Sequence, residues 1–218
     1  MEVTILSEKQ KKLLRLLSKE KNICKNFYLS GGTALAEFYL KHRYSEDLDF
    51  FSENEFEPQD ISTILKSIQE KADIKSIDYE QSFNRNLYFL RLEKETIKTE
   101  FTYFPFIRIE KKEKIGELFI DSFIDIAVNK IFTIYQKPRS RDFIDLYFIM
   151  QKTGWTIEDL AKKAKIKFDW HIDPIQLGSQ LIKAKELKDY PRMITKISDN
   201  VWQDFFIEEA KKLDGEIF

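Results

Sequence analysis

The chain has 218 residues, of which 43% are hydrophobic and 33% charged, a composition too apolar for a disordered protein and sufficient for one large core or two small ones. Its 36 basic and 37 acidic side chains leave a net charge of −1, so the overall charge gives no indication of nucleic-acid binding. The chain has no apolar run of membrane-spanning length, no secretory pattern at its start and a single cysteine, so we expect a cytoplasmic protein that does not engage membranes.

The first part of the chain alternates between helical and strand-like patterns. Ser7 and Gln10 have the spacing of a capping box, which predicts the start of the first helix. A glycine-containing turn leads into a predicted helix at 34–42, and a strand is predicted at 47–51. A further helix is predicted at 58–72.

Strand-like patterns then give way to helical ones. Strands are predicted at 74–80, 83–92 and 96–104, and no strand-like alternation of useful length follows Tyr103. Helices are predicted at 122–136, 141–152, from Thr156, from Asp173 and at 199–213. The sequence therefore predicts an α+β fold with two domains. Residues 1–115 form a mixed β-sheet flanked by helices, and residues 116–218 form a helical bundle.

The turn Ser30-Gly31-Gly32-Thr33 lies between a strand and a helix. Glycine allows the backbone to approach a ligand closely, and the unpaired N–H groups at a helix N-terminus attract anions. A tight turn without any ligand is the competing interpretation of this segment taken by itself.

Asp47 and Asp49 are two residues apart in a predicted strand, so their side chains share one face. Two ionised carboxylates at this spacing repel each other unless a cation lies between them. Their hard oxygen atoms favour Mg²⁺ or Mn²⁺, with phosphates completing the coordination shell. An exposed acidic edge is the alternative.

A third carboxylate is expected from a neighbouring strand. Glu100 is the preferred candidate because it shares a strand face with Lys98 and Thr102, while Phe101 faces the core. The competing acidic residues are Glu93, Glu95 and Asp78.

Lys130 lies beside the apolar face of its predicted helix, where a lysine usually needs a partner for its charge. Asp142 and Asp145 share one side of the next helix. Lys130 therefore either forms a buried ion pair with one of these aspartates or extends to a nucleotide, and both roles can hold together.

Two segments carry a family resemblance. Gly31-Gly32-Thr33-Ala34-Leu35-Ala36, followed by Arg43-x-Ser45-x-Asp47-Leu48-Asp49-Phe50-Phe51, resembles the first motif of the AbiEii/AbiGii-type nucleotidyltransferases of the polymerase-β-like superfamily. Lys130 with Arg141-Asp142-Phe143-Ile144-Asp145-Leu146-Tyr147 resembles a later motif of the same family. Glu100 departs from the pattern, since many superfamily members have aspartate there.

The resemblance implies a mixed sheet, a divalent metal ion and a nucleoside triphosphate. It also implies that relatives are toxins of toxin–antitoxin pairs, some of which modify the acceptor end of tRNA. The expected function is Mg²⁺- or Mn²⁺-dependent transfer of a nucleotide to a hydroxyl group of RNA, with an antitoxin protein as a possible partner. A small-molecule acceptor and a catalytically silent binding module are the alternatives.

The expected site has three groups of residues. The metal ligands are Asp47, Asp49 and Glu100. The catalytic residues are these three carboxylates and Lys130. The nucleotide-binding residues are Ser30, Gly31, Gly32, Thr33, Arg43, Ser45, Lys130 and Asp145.

Overall fold

The computed structural model describes residues 4–213, which form two compact units. The first unit comprises the chain up to Tyr39 with 44–106 and 111–122, and the second comprises 40–43, 107–110 and the chain from Phe123 onward. Residues 1–3 and 214–218, which belong to the two domains predicted from the sequence, lie outside the described part.

A mixed sheet runs through the first unit, as predicted. Its strands are β1 (Tyr28–Ser30), β2 (Leu48–Ser52), β3 (Ser76–Ser82), β4 (Arg85–Arg91), β5 (Thr96–Tyr103), β6 (Glu113–Ile115) and β7 (Leu118–Ile120). They are ordered β3-β4-β5-β2-β1-β7-β6. The pairs β2/β5 and β1/β7 are parallel, and the other neighbours are antiparallel.

The last two strands correct the sequence analysis, which predicted no strand after Tyr103. Both β6 and β7 have three residues, too few to show a period-two pattern. β7 lies parallel to the distant strand β1, with Tyr28 opposite Phe119, and β6 pairs with β7.

Helices α1 (Glu8–Leu17), α2 (Lys21–Asn26), α3 (Gly31–Ala34) and α4 (Pro58–Ile68) belong to the first unit, and α3 continues as a π-helical turn at Leu35–Leu40. The capping box at Ser7 and Gln10 is confirmed, because each residue accepts a hydrogen bond from the backbone N–H of the other. The helix predicted at 34–42 begins earlier, at Gly31, because β1 leads into it directly.

Aromatic side chains pack against one face of the sheet. Phe50 of β2 lies opposite Phe101 of β5, and their rings stack with centroids 4.9 Å apart. Phe27 packs edge-on against Phe101 at 5.2 Å. Because side chains alternate along a strand, the residues next to Phe50 and Phe101 point to the opposite face.

The second unit is helical, as predicted, and contains α5 (Phe123–Gln136), α6 (Ser140–Thr153), α7 (Ile157–Phe168), α8 (Pro174–Ile182), a 3₁₀ turn (Lys183–Lys185) and α9 (Asp199–Lys212). Thr156 and Asp159 form the capping box of α7. Asp173 accepts from the backbone N–H of Gln176 at 2.7 Å at the start of α8. Throughout residues 4–213, no helix has the length and apolar character needed to cross a membrane.

Within the second unit, a buried ion pair joins α5 to α7. Lys167 donates to Asp125 over 2.7 Å, and both side chains are almost fully buried. Asp125 also accepts from the backbone N–H groups of Ile109 and Glu110, at 3.1 and 3.0 Å. The carboxylate therefore fixes three parts of this unit at one point.

Lys167→Ala is expected to destabilise the protein by roughly 3–5 kcal/mol, because it removes a buried cation from the buried Asp125 carboxylate. Urea unfolding measures the loss. Lys162→Ala is the matched control, because it removes an exposed ion pair with Glu158 on the same helix and should cost less than about 1 kcal/mol. Equal losses for the two variants would contradict the assignment.

Candidate active site

Three carboxylates share one face of the sheet in the first unit. Asp49 of β2 is directly opposite Glu100 of β5 in a parallel pair, so both side chains point away from the Phe50–Phe101 face. Asp47 comes directly before β2, and its Oδ2 lies 2.9 Å from the ammonium of Lys98, which shares the Glu100 face of β5. The three predicted metal ligands therefore lie on one side of the sheet.

Gly31 lies directly against Asp49. Its φ of +71° is in the left-handed region, and a Cβ built on it would lie 2.4 Å from Asp49 Oδ2. No side chain fits in that space, so the glycine is required both by the backbone and by the carboxylate beside it. The glycine turn, with Gly32 next in α3, and the aspartate strand thus lie side by side within the first unit.

Hydroxyl groups fix the segment that carries Asp47. The Thr33 hydroxyl lies 2.8 Å from that of Ser45 and also contacts the backbone carbonyl of Asp47. Thr33 and Ser45, both predicted to bind the nucleotide, are therefore hydrogen-bonded to each other. Together they position the start of β2.

Ser30, another predicted nucleotide contact, is buried and donates its hydroxyl proton to Asp121 Oδ2 over 2.7 Å. Asp121 follows β7, is buried, and accepts from the Tyr39 hydroxyl through its backbone carbonyl at 2.7 Å. The sequence analysis missed Asp121. An aspartate directly after the short apolar run Leu118–Ile120 was the signal that could have identified it.

Glu100 is held by two neighbours on its own face. Arg85 Nε and Nη2 donate to Oε1 and Oε2 at 2.6 and 2.5 Å, and the Thr102 hydroxyl donates to Oε1 at 2.7 Å. Burial by itself raises the pKa of Glu100, but the bonds from Arg85 and Thr102 outweigh it and lower the pKa below the usual value. Glu100 is therefore ionised at neutral pH.

Arg85 was not singled out from the sequence. Its hydrogen bonds with Glu100 raise the pKa of Arg85 above the usual value, with further contributions from Asp49 and Asp47, although partial burial opposes them. The second cation of this face is Lys98, whose ammonium lies 2.9 Å from Asp47 Oδ2.

The carboxylates suit a divalent metal by their chemistry, since hard, ionised oxygens are the ligands that Mg²⁺ and Mn²⁺ prefer. In the structure, Glu100 and Asp47 instead form ion pairs with Arg85 and Lys98. Within residues 4–213, no three Asp, Glu, His or Cys side chains are grouped so that they could hold one metal ion as they stand. Metal binding at Asp47, Asp49 and Glu100 thus requires these side chains to exchange partners.

The remaining predicted site residues lie together in the second unit. Asp145 accepts from Arg43 Nε at 2.6 Å and Nη2 at 2.8 Å, and its other contacts are His42 Nε2 at 2.8 Å and Lys130 at 2.7 Å. The Lys130 ammonium also contacts Asp142 at 2.7 Å. These contacts favour the ion-pair interpretation of Lys130.

The charges of this buried group support one another. Burial alone raises the pKa of Asp145, but the charges of Arg43 and Lys130 hold it well below its usual range. Burial alone lowers the pKa of Lys130, and the charges of Asp142 and Asp145 raise it above its usual value. The lysine and the two aspartates are therefore all charged at neutral pH.

Comparison with known sequences identifies a family. The family described as "Nucleotidyl transferase AbiEii toxin, Type IV TA system" matches residues 15–212. The uncharacterized protein aq_aa25 of Aquifex aeolicus (strain VF5) is 36% identical over 148 residues, which cover 67% of this chain and 68% of that protein.

Two solved structures share the fold. The crystal structure of JHP933 from Helicobacter pylori matches with a TM-score of 0.63 and 22% identity, covering 95% of this chain and 93% of that one. A second crystal structure from H. pylori also matches with a TM-score of 0.63 and 22% identity, covering 95% of this chain and 96% of that one. This similarity agrees with the predicted α+β architecture.

Gly31→Ala is expected to lower stability because alanine is strained at positive φ, by about 1–2 kcal/mol, and also collides with Asp49. Gly116→Ala is the control, since Gly116 has a φ of +62° but open space around it. The difference between the two variants in urea unfolding, about 1–3 kcal/mol, measures the collision alone. Equal losses would show that Gly31 does not constrain the carboxylate.

Lys130→Ala is expected to destabilise the protein by roughly 3–5 kcal/mol, because the buried Asp142 and Asp145 lose a shared cation. The exposed Lys137, just past the end of α5, provides the control and should change stability by less than about 0.5 kcal/mol on replacement by alanine. Thermal and urea unfolding measure both. A Lys130→Ala protein of normal stability that has lost nucleotide affinity would favour the nucleotide-contact interpretation instead.

Proposed function

We propose a function for this chain on the premise that it belongs to the AbiEii nucleotidyl transferase family, which matches residues 15–212. The chain is a nucleotidyltransferase. Its reaction is the transfer of a nucleoside monophosphate from a nucleoside triphosphate to a hydroxyl group of RNA, with Mg²⁺ or Mn²⁺ as the metal.

The contact between Gly31 and Asp49 is the observation that carries the proposal. A glycine turn suited to phosphate and a carboxylate suited to a divalent cation are in direct contact, and Glu100 lies opposite that carboxylate on the next strand. Phosphate and metal would therefore meet at one place, as nucleotidyl transfer requires.

Each group of residues has a separate task in this proposal. Asp47, Asp49 and Glu100 would hold a divalent cation, which would supply positive charge to stabilise the phosphoryl group during transfer. The backbone of Gly31 and Gly32 faces the outer phosphates, since glycine leaves the amides accessible. The hydroxyl groups of Thr33 and Ser45 keep Asp47 in place.

For Arg43, Lys130 and Asp145, the contacts support a structural role in the second unit. All three side chains are buried, and the two cations are already bound to carboxylates. We infer that they hold the 40–43 segment against α5 and α6, and that direct contact with the triphosphate is not their main role.

The proposed biological role rests on the family description. Because the family is that of a toxin of a type IV toxin–antitoxin system, we propose that the chain is such a toxin and that an antitoxin protein opposes it. RNA, with tRNA as the first candidate, is the proposed acceptor. A small-molecule acceptor is the alternative that the experiment below separates from RNA.

Purified protein incubated with Mg²⁺, total cell RNA, the small-molecule fraction of a cell extract and each nucleoside triphosphate in turn, labelled at the α-phosphate, is expected to label RNA with one or more of them. Asp49→Asn should abolish labelling, and Glu100→Gln should reduce kcat by roughly 10²–10³, because each change removes charge that stabilises the transition state. The exposed Asp78→Asn on β3 is the control and should retain activity. Label in small molecules but not in RNA would support the small-molecule acceptor, and an active Asp49→Asn enzyme would contradict the site.

A further inference from the structure

Two cations are built into the carboxylate face of the first unit. Arg85 of β4 is opposite Thr102 of β5, and Lys98 is two residues before Glu100 on β5. By alternation, both therefore point to the same face as the carboxylates, and their contacts with Glu100 and Asp47 confirm it.

Arg85 takes up most of the binding capacity of Glu100. Its two nitrogens donate to both carboxylate oxygens, at 2.6 and 2.5 Å, and Thr102 donates to one of them as well. Such bidentate pairs are among the strongest hydrogen bonds in proteins. Glu100 cannot give both oxygens to another cation while Arg85 keeps this geometry.

The charges at the site also require side chains to move when a divalent cation binds. Asp47, Asp49 and Glu100 carry three negative charges, and Arg85 and Lys98 carry two positive ones. A divalent cation placed among the carboxylates would lie beside two positive charges if Arg85 and Lys98 stayed where they are. Either the carboxylates or the two basic side chains must therefore move.

Solvent exposure indicates which side chains move. The Arg85 side chain is 52% exposed, whereas that of Glu100 is 6% exposed. Arg85 can turn into water at little cost in desolvation, but Glu100 is enclosed and held by Thr102. The Lys98 side chain, 27% exposed, has a flexible four-carbon stem and contacts the Asp47 carboxylate.

We propose that Arg85 and Lys98 are displaceable counterions of the active site, which occupy Glu100 and Asp47 in the metal-free protein and leave them when a divalent cation binds. The proposal rests on the proposed function, because it requires a metal at these carboxylates. The released guanidinium remains attached to β4 beside the site. Arginine binds phosphate oxygens through two parallel hydrogen bonds, so the released Arg85 binds the triphosphate of the incoming nucleotide.

Because of this exchange, Arg85 is expected to have opposite effects on binding of the bare metal ion and on binding of the metal–triphosphate complex. Arg85 competes with the bare metal ion for Glu100, so it weakens binding of the ion alone. Arg85 gains a new partner when triphosphate accompanies the metal, so it strengthens binding of the metal–triphosphate complex. If Arg85 were purely structural, its replacement would weaken both kinds of binding or change neither.

The experiment is titration of metal-free protein with Mn²⁺, followed by electron paramagnetic resonance of the free ion, and calorimetric titration with the complex of Mn²⁺ and inorganic triphosphate. Arg85→Gln is expected to bind Mn²⁺ alone about tenfold more tightly than the wild type, because no charged hydrogen bond has to be broken. The same variant is expected to bind the Mn²⁺–triphosphate complex about tenfold more weakly, because a charged contact with phosphate is lost.

Two further variants serve as references. Arg91→Gln removes an arginine from the other end of β4, where it pairs with Asp78, and should leave both affinities unchanged. Arg85→Lys keeps the charge without the bidentate geometry and should give a smaller shift in both measurements.

Mn²⁺ affinity of Arg85→Gln equal to or below that of the wild type would overturn the proposal, as would Mn²⁺ binding by neither protein. Asp49→Asn separates this failure from failure of the proposed function. If Asp49→Asn loses Mn²⁺ binding while Arg85→Gln matches the wild type, the metal site stands and only the counterion role is wrong. If Asp49→Asn binds Mn²⁺ as the wild type does, the proposed function itself loses its metal site.

Discussion

Repulsion between like charges is the constraint on which the carboxylate face of the sheet depends. Asp49 and Glu100 lie opposite each other on neighbouring strands, and Asp47 points the same way. Acidic groups this close on one face destabilise the fold unless positive charge is supplied. Arg85 and Lys98 supply it through their ion pairs with Glu100 and Asp47.

In the second unit, basic side chains also balance the charge of a carboxylate, but there the whole group is buried. Asp145 is surrounded by His42, Arg43 and Lys130, and the acidic and basic side chains are all buried. A buried group of this kind cannot exchange its partners for solvent without a large desolvation cost. The half-exposed Arg85 can make that exchange. Exposure thus separates ion pairs that hold a fold together from ion pairs that can respond to a ligand.

Much of the architecture could be predicted because its signals are local. Capping residues are three apart in the sequence, so the starts of α1, α7 and α8 follow from a few neighbouring side chains. The longer strands show their alternation directly. The strands β6 and β7 could not be predicted, because three residues carry no usable period and the pairing of β7 with β1 depends on a segment about ninety residues away.

The sequence by itself determined the chemical types present at the site: two glycines at the end of a strand, two aspartates two residues apart, and a glutamate on a further strand. Those features depend on spacing along one segment of chain. Only the tertiary structure decided which charges meet. The pairing of Arg85 with Glu100, and of Ser30 with Asp121, follows from strand register and sheet order. The contact of Arg43 with Asp145 joins residues 102 positions apart. The parallel pairing of β2 with β5, which sets Asp49 opposite Glu100, joins strands that are distant in the chain, so no short turn specifies its register.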